Sequence, residues 1–582
     1  MRWSHAARAV ALVCCVTAAP VKAADAPVPT DLAEQPTAIP SAQAQAAAAV
    51  LYVVRYDHWS EADERGFGEF ITAIGNSSCR TVNTCLHDPA NPFRASDPEG
   101  VEFRSDCADL PYVLRFYYAW KRGLPFGYVS AVEPRGHTRD IRYTAKGNAV
   151  TERADARNAG VSGYAIMDTL RDAISSATYR IHPDLDDPAP DLYSPALDAK
   201  SIKPGTVIYD PNGHLALVFE VESDGRIHYI DAHPDNALTR GIYDQRFVRS
   251  SPGMGAGFKN WRPMKLLGAS RRGDGVYQGG VVTVAKNAEI ADFSDEQFFG
   301  NGKRPDDDHD WKDGTFTLNG EVLDYYDYVR ARLAGGKLEF DPLREVHDMV
   351  DSNCADLHYR ADAVNVALAA GLQKQPEPDT LPDNIYGSEG DWETYSTPSR
   401  DARLKTAFKE LRDMTERFLT MARNKDPHLV YKGNDLATDL LGVYDREAAA
   451  CRLIYARSDG SPVTLGYEEM RRRLFLMSFD PYQCVERRWG ATDPRELATC
   501  LDGADKRAWY TAEQNLRNQI ERTYEAQMDF TREELLEPGA GKGVATPPDI
   551  DVRAYLAALA KPKKPAPPPA PQQPSSRWPF GF

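Results

Sequence analysis

The chain has 582 residues, a formal net charge of −16 and 42% hydrophobic content. That length allows two or more domains with cores large enough to make disulfide staples optional. The acidic balance, with Lys and Arg only in short scattered runs, argues against a nucleic-acid surface, which needs clustered cations to release counterions.

At the start, Arg2 and Arg8 frame an apolar run from Ala9 to Ala19, followed by Val21-Lys22-Ala23, the pattern of a signal peptide over residues 1–23. The run is too short to cross a bilayer, and no later segment reaches the roughly 20 apolar residues a membrane helix needs. The mature chain is therefore expected to be exported, periplasmic or extracellular, without an integral membrane segment. Residues 24–50, rich in Ala, Pro and Gln, read as a disordered linker.

Next comes Ser105-Asp106-Cys107-Ala108-Asp109-Leu110-Pro111, which sets a thiol at the expected start of a helix carrying Leu110, Val113, Leu114, Tyr117 and Tyr118. The positive end of the helix dipole lowers the pKa of a thiol placed there. Val207 to Tyr209 reads as a short strand. Leu215 to Val221 and Ile227 to Ala232 flank Ser223-Asp224-Gly225, whose Asp-Gly pair suits the positive φ of a hairpin turn. Helix followed by antiparallel sheet predicts an α+β domain over residues 51–265.

Past residue 265 helical periodicity takes over and predicts a mostly α-helical domain over 266–560. In Asp401 to Arg423, Leu404, Ala407, Phe408, Leu411, Phe418, Leu419 and Ala422 recur at threes and fours, with Ser399 or Asp401 as cap. Further helices are expected over 435–457, 467–478 and 505–536. The tail, 561–582, is Pro-rich, favours extended polyproline conformations and ends in Trp578, Phe580 and Phe582. A protein partner would be met through the helical domain or this tail.

Outside the signal segment seven cysteines remain, and an odd count in an oxidising compartment points to a free thiol or an intermolecular bridge. Cys79 with Cys85 and Cys484 with Cys500 close short loops; Cys354 would then pair with Cys451, leaving Cys107 alone. Spacing does not fix this connectivity. Ser352-Asn353-Cys354-Ala355-Asp356-Leu357 echoes the Cys107 segment, but no Gly-His strand follows it, so Cys354 reads as a disulfide or core residue. Asp306 to Asp310 reads as a solvated acidic loop, because Gly314 is misplaced for a calcium-binding loop. No metal or other cofactor is expected.

A tight Asp224-Gly225 turn would bring the segment from Asp231 to Asp235 back beside His214. Cys107 would then attack a carbonyl, His214 would take and return the proton, and Asp231 would orient the imidazole. His233 is the alternative third residue, since a one-residue slip in a hairpin turns every side chain to the other face. The Cys107 N–H could help form an oxyanion hole.

Taken together, Asp106-Cys107-Ala108 before a helix ending in Arg122-Gly123-Leu124-Pro125, then Lys203-Pro204-Gly205-Thr206-Val207-Ile208, Gly213-His214-Leu215-Ala216-Leu217-Val218 and Tyr229-Ile230-Asp231-Ala232, resemble the NlpC-type family of papain-like cysteine peptidases. The resemblance covers residues 50–260. It implies a helix packed on an antiparallel sheet, Cys107 as nucleophile, His214 as base, and metal-free cleavage of amide bonds in peptidoglycan peptides. Asp231 stands where that family commonly has His, Asp109 replaces a common glycine, and residues 135–196 are an insertion. Two other readings use the same residues: a thiol acyltransferase, and a non-catalytic scaffold in which Cys107 is inert.

Overall fold

A computed structural model describes residues 50–560 apart from 158–161, 387–389, 396, 522 and 524–525. The signal peptide, the linker except residue 50, and the Pro-rich tail lie outside the described residues. The described residues form one compact unit of mixed helix and antiparallel sheet.

Two helices open the fold. Helix α1 (Glu61–Gly75) begins with a capping box in which the Ser60 and Asp63 side chains satisfy each other's backbone N–H groups. Its buried Phe67, Phe70, Ile71 and Ile74 follow the helical period. Helix α2 (Leu110–Arg122) is buried along almost its whole length. Arg115 fixes it to α1 through a bidentate pair with Glu64 (2.6 and 2.8 Å) and lies 3.4 Å over the Trp59 ring.

The strands follow: β1 (Gly127–Pro134), β2 (Asn148–Asp155), β3 (Leu192–Tyr193), β4 (Val207–Asp210), β5 (His214–Val221), β6 (Ile227–Ala232), β7 (Leu238–Ile242) and β8 (Gly257–Trp261). β1 and β2 form a separate hairpin of which only β2 lies inside the expected insertion, and the other six make one antiparallel sheet in the order β3-β8-β4-β5-β6-β7. The predicted Asp224-Gly225 hairpin joins β5 to β6, with Leu217 opposite Ile230. One face of the sheet packs on α1 and α2 through Tyr209, Leu215, Leu217, Phe219 and Ile230. The other face buries Ile208, Ala216, Val218, Tyr229 and Phe258 against Tyr325, Tyr328, Val329 and Leu333. Burial on both faces explains why β5 reads as a continuous apolar run rather than an alternating one.

β4 and β5 are joined by Pro211-Asn212-Gly213. Gly213 has φ +89°, and an added Cβ would lie 3.1 Å from the Tyr143 hydroxyl. Gly213→Ala is therefore expected to destabilise the chain by about 1–2 kcal/mol. A lowered urea midpoint at unchanged slope would show this, and an unchanged midpoint would contradict it.

The remaining part carries three more hairpins and the long helices. β9 (Met264–Arg271) pairs with β10 (Tyr277–Val284), β11 (Phe316–Leu318) with β12 (Glu321–Leu323), and β13 (Arg452–Ala456) with β14 (Pro462–Gly466). Helix α3 (Pro342–Ala370), α4 (Thr397–Asn424) and α5 (Leu436–Ala450) share a core containing Val346, Leu357, Leu404, Phe408, Phe418, Leu440 and Tyr444. The helix expected over 435–457 stops at Ala450, because Arg452 onward alternates exposed and buried residues as a hairpin strand. The helix expected over 505–536 is broken into Ala504–Ala512, Gln514–Asn518 and Arg532–Leu536. Asp401 is not a cap; its carboxylate is paired to Arg360 in the interior.

Three disulfides form, Cys79–Cys85, Cys354–Cys451 and Cys484–Cys500, leaving Cys107 as the free cysteine among the described residues. They fit an oxidising compartment. No helix among the described residues is long and apolar enough to cross a membrane.

Candidate active site

Cys107 lies in a turn three residues before α2, not in its first turn as expected. The turn is held by two carboxylates. Asp106 Oδ1 accepts from the N–H groups of Ala108 (2.7 Å) and Asp109 (3.2 Å), while Asp109 Oδ1 accepts from the Asp106 N–H (3.0 Å). Tyr179 Oη donates to Ala108 O, and the Ser105 N–H donates to Asn236 Oδ1 across to the β6–β7 turn. These ties set Cys107 against the sheet.

The thiol rests against the backbone on both sides of His214. Cys107 Sγ is 3.8 Å from Gly213 O, and the Leu215 N–H points to the sulfur. Cys107 and His214 line the same cavity of about 200 Å³. His214 Nε2 is 2.6 Å from Asp231 Oδ2. Asp231 is fully buried, and its Oδ1 accepts from Thr239 Oγ1, the residue opposite it on β7.

The register running on from Leu217↔Ile230 sets His214 across from His233, with ring centroids 5.8 Å apart. His233 makes no hydrogen bond to His214. Its Nε2 lies 3.0 Å from Thr239 Oγ1 and 3.8 Å from Asp231 Oδ2, and its ring stacks on Tyr359 at 4.4 Å.

One residue here gave no sign of itself in the sequence. Arg403, from α4, reaches over the strands and places Nη1 2.7 Å from His214 Nε2 and 2.9 Å from Asp231 Oδ2, while Nη2 donates to Tyr229 Oη. An Nε2 that donates to Asp231 cannot also accept from Arg403. The imidazole therefore has two competing tautomers, and the one with hydrogen on Nε2 leaves Nδ1 free to take a proton.

Charge in the site departs from the expected activated thiolate. Burial pushes the Cys107 thiol well above its ordinary value, reinforced by Asp106, Asp231 and Asp109 against the Leu215 N–H. Burial and then Arg403 lower the pKa of His214, opposed by Asp231. Burial alone would raise the Asp231 carboxyl, but Arg403, His233 and His214 hold it well below the carboxylate range. Burial and Asp106 push Asp109 up to about 8. The resting pair is thus thiol and neutral imidazole, and the helix dipole is outweighed because Cys107 sits before the helix among carboxylates.

This arrangement carries a pH signature. A thiol with a raised pKa gains thiolate only above its ordinary value of 9.0. Alkylation of Cys107 by iodoacetamide is therefore expected to climb with pH through 9.0 without levelling. A plateau at lower pH would show that the thiol is depressed instead.

Clusters with metal-ligand geometry among the described residues are Cys354, His358 and Cys451, and Cys484, Cys500 and Asp502. Their sulfurs are consumed in disulfides. The acidic run at 306–310 lies in a short turn where Asp308 meets His182 (3.0 Å) and Arg304 (3.4 Å). Compared with known proteins, the chain matches no family model, no curated protein and no solved structure.

Proposed function

We propose that the chain is a cysteine hydrolase of the exported compartment that cleaves amide bonds in peptidoglycan peptides. The observation that carries this reading is the meeting of the unpaired Cys107 and His214 in one cavity, with the buried Asp231 carboxylate behind them on His214 Nε2. The motif resemblance to NlpC-type, papain-like peptidases supplies the substrate class.

Chemically, the neutral resting pair calls for general-base catalysis. Cys107 Sγ attacks the amide carbon as its proton passes to His214 Nδ1, and Asp231 stabilises the imidazolium that forms. The Cys107 N–H has no acceptor among the described residues and can receive the developing oxyanion. His214 returns the proton to the leaving amine, which leaves a thioester on Cys107. Water, deprotonated by His214, then attacks the thioester and releases the acid and the thiol. Arg403 competes for His214 Nε2, so a substrate that draws Arg403 aside would favour the productive tautomer.

The raised thiol pKa favours a second reading, a scaffold in which Cys107 is inert. Purified sacculi and soluble muropeptides discriminate between the two. Wild-type protein is expected to release new amine termini and Cys107→Ala none; equal release by both overturns the hydrolase reading.

A further inference from the structure

Strand β8 buries a charge that nothing among the described residues answers. It runs inside the sheet between β3 and β4, with Phe258 packed on one face and Trp261 on the other. A strand covered on both faces ordinarily carries apolar side chains. Lys259, opposite Val207 on β4, is instead a cation only 6% exposed, and its ammonium meets no hydrogen-bond acceptor and no carboxylate among the described residues. Such a group is costly, because it gives up its hydration and gains no partner.

A second cation stands beside it. Arg262 is 1% exposed and donates through Nη1 to Ala285 O (2.8 Å) and through Nη2 to Asn287 Oδ1 (2.6 Å), both neutral acceptors, while its Nε has no partner. Lys259 and Arg262 line one cavity of about 10 Å³, and no carboxylate lines it. The acids of the surroundings are paired elsewhere: Asp191 with Arg153 (2.5 Å), Asp186 with the Asn287 N–H (2.8 Å) and Asp308 with His182 (3.0 Å). Burial, then Arg262, bring Lys259 down to about 7, and burial brings Arg262 down to about 10. Two hydroxyls in the same wall still have protons to give. Thr178 Oγ1 accepts from the Ser175 N–H (3.4 Å) and Ser194 Oγ from Gln297 Nε2, and neither donates to an acceptor among the described residues.

We propose that Lys259 and Arg262 hold a small monovalent anion, of chloride size, in this cavity, which is separate from the one that holds Cys107. The volume admits a single sphere about as large as a water molecule, which excludes carboxylates, phosphate and sulfate. Water itself would fit but would leave both charges unanswered. An anion there completes the hydrogen bonds of the ammonium and neutralises the repulsion between the two cations. The site does not depend on the hydrolase reading, but it bears on Cys107. Tyr179 lines the anion cavity and donates through its hydroxyl to Ala108 O, so an occupant braces the turn that carries the thiol.

Bromide, which shares the charge of chloride and scatters anomalously, tests this on the full chain. Crystals grown in sodium bromide are expected to show an anomalous peak at hydrogen-bonding distance from Lys259 Nζ. In solution below pH 7, where Lys259 keeps its proton, the wild type should melt about 2 °C higher in sodium chloride than in sodium gluconate of the same ionic strength, because gluconate is too large for the cavity. Lys259→Met keeps the length and removes the charge, so it should lose both the peak and the difference between salts. In gluconate it should melt no lower than the wild type, since it removes a buried cation that has no counter-charge there. That measurement separates loss of the anion from failure to fold. Equal melting of the wild type in the two salts, a difference that persists in Lys259→Met, or ordered water in place of bromide overturns the site.

Discussion

Cys107→Ala is expected to reduce peptide hydrolysis to background, and His214→Ala to lower kcat/KM by about 10²- to 10⁴-fold, the usual contribution of a positioned general base. The asymmetry has a structural cause. Without Cys107 there is no sulfur to form the thioester, whereas without His214 the sulfur remains but must lose its proton to solvent. Burial, then the Asp106 and Asp231 carboxylates, keep that thiol protonated, so the loss should be greatest near neutral pH and shrink as pH rises past 9.0. The double variant should be no worse than Cys107→Ala alone, because both act in one step. Steady-state kinetics on a soluble muropeptide would show this, and wild-type kcat/KM in His214→Ala would contradict it.

Arg403→Met should be costly in a different way. The substitution preserves much of the side-chain bulk but leaves Asp231, at 0% exposure, without the cation 2.9 Å away. Breaking one side of such a buried pair typically costs about 3–5 kcal/mol. The sign with pH follows from the groups that remain. Removing the Arg403 charge raises the folded-state pKa of His214, so protonated His214 can replace the lost cation. Relative to the wild type, that upward move adds stability at pH values where His214 of the variant is protonated, and the addition is lost as pH rises through the variant's folded value. The stability deficit should therefore be smallest in mild acid and largest above neutrality. The acid limb of kcat/KM should move the same way, to higher pH, because neutral His214 is the working base. Urea unfolding and pH–rate profiles measure both, and a deficit that does not vary between pH 5 and 8 would argue against the pairing.

The parts of the site legible in the sequence are those that sit close together along the chain or carry a local signature. Asp224-Gly225 announced the hairpin that joins the strands of His214 and Asp231, but a bulge between Val218 and Glu220 shifts by one residue the register that the turn sets, and the sequence does not announce it. The count of seven mature cysteines singled out Cys107, and the two short loops left Cys354 and Cys451 for each other. Arg403 was invisible for the opposite reason. It is an arginine on an amphipathic helix, where a charged residue ordinarily faces water, and only the packing of α4 onto the sheet turns it inward. The long helix α3 is not announced by its sequence, because the polar Asn353 takes a buried position in its apolar stripe between Val350 and Leu357. The direction of the Cys107 pKa could not be read from the motif either. It depends on how deeply the thiol is buried and on Asp231, which lies 124 residues away in sequence.

The sheet that carries His214 and Asp231 is covered on its second face by Tyr325, Tyr328, Val329 and Leu333. Its strands therefore have two sets of neighbours to satisfy, and only one of them lies in the part of the chain that carries Cys107. A change of volume at the outward residues of β5 and β6 would be met about a hundred residues later, in the helix Tyr325–Leu333. The strands that carry His214 and Asp231 are thus held from both sides, and loosening that helix would loosen the sheet under the site.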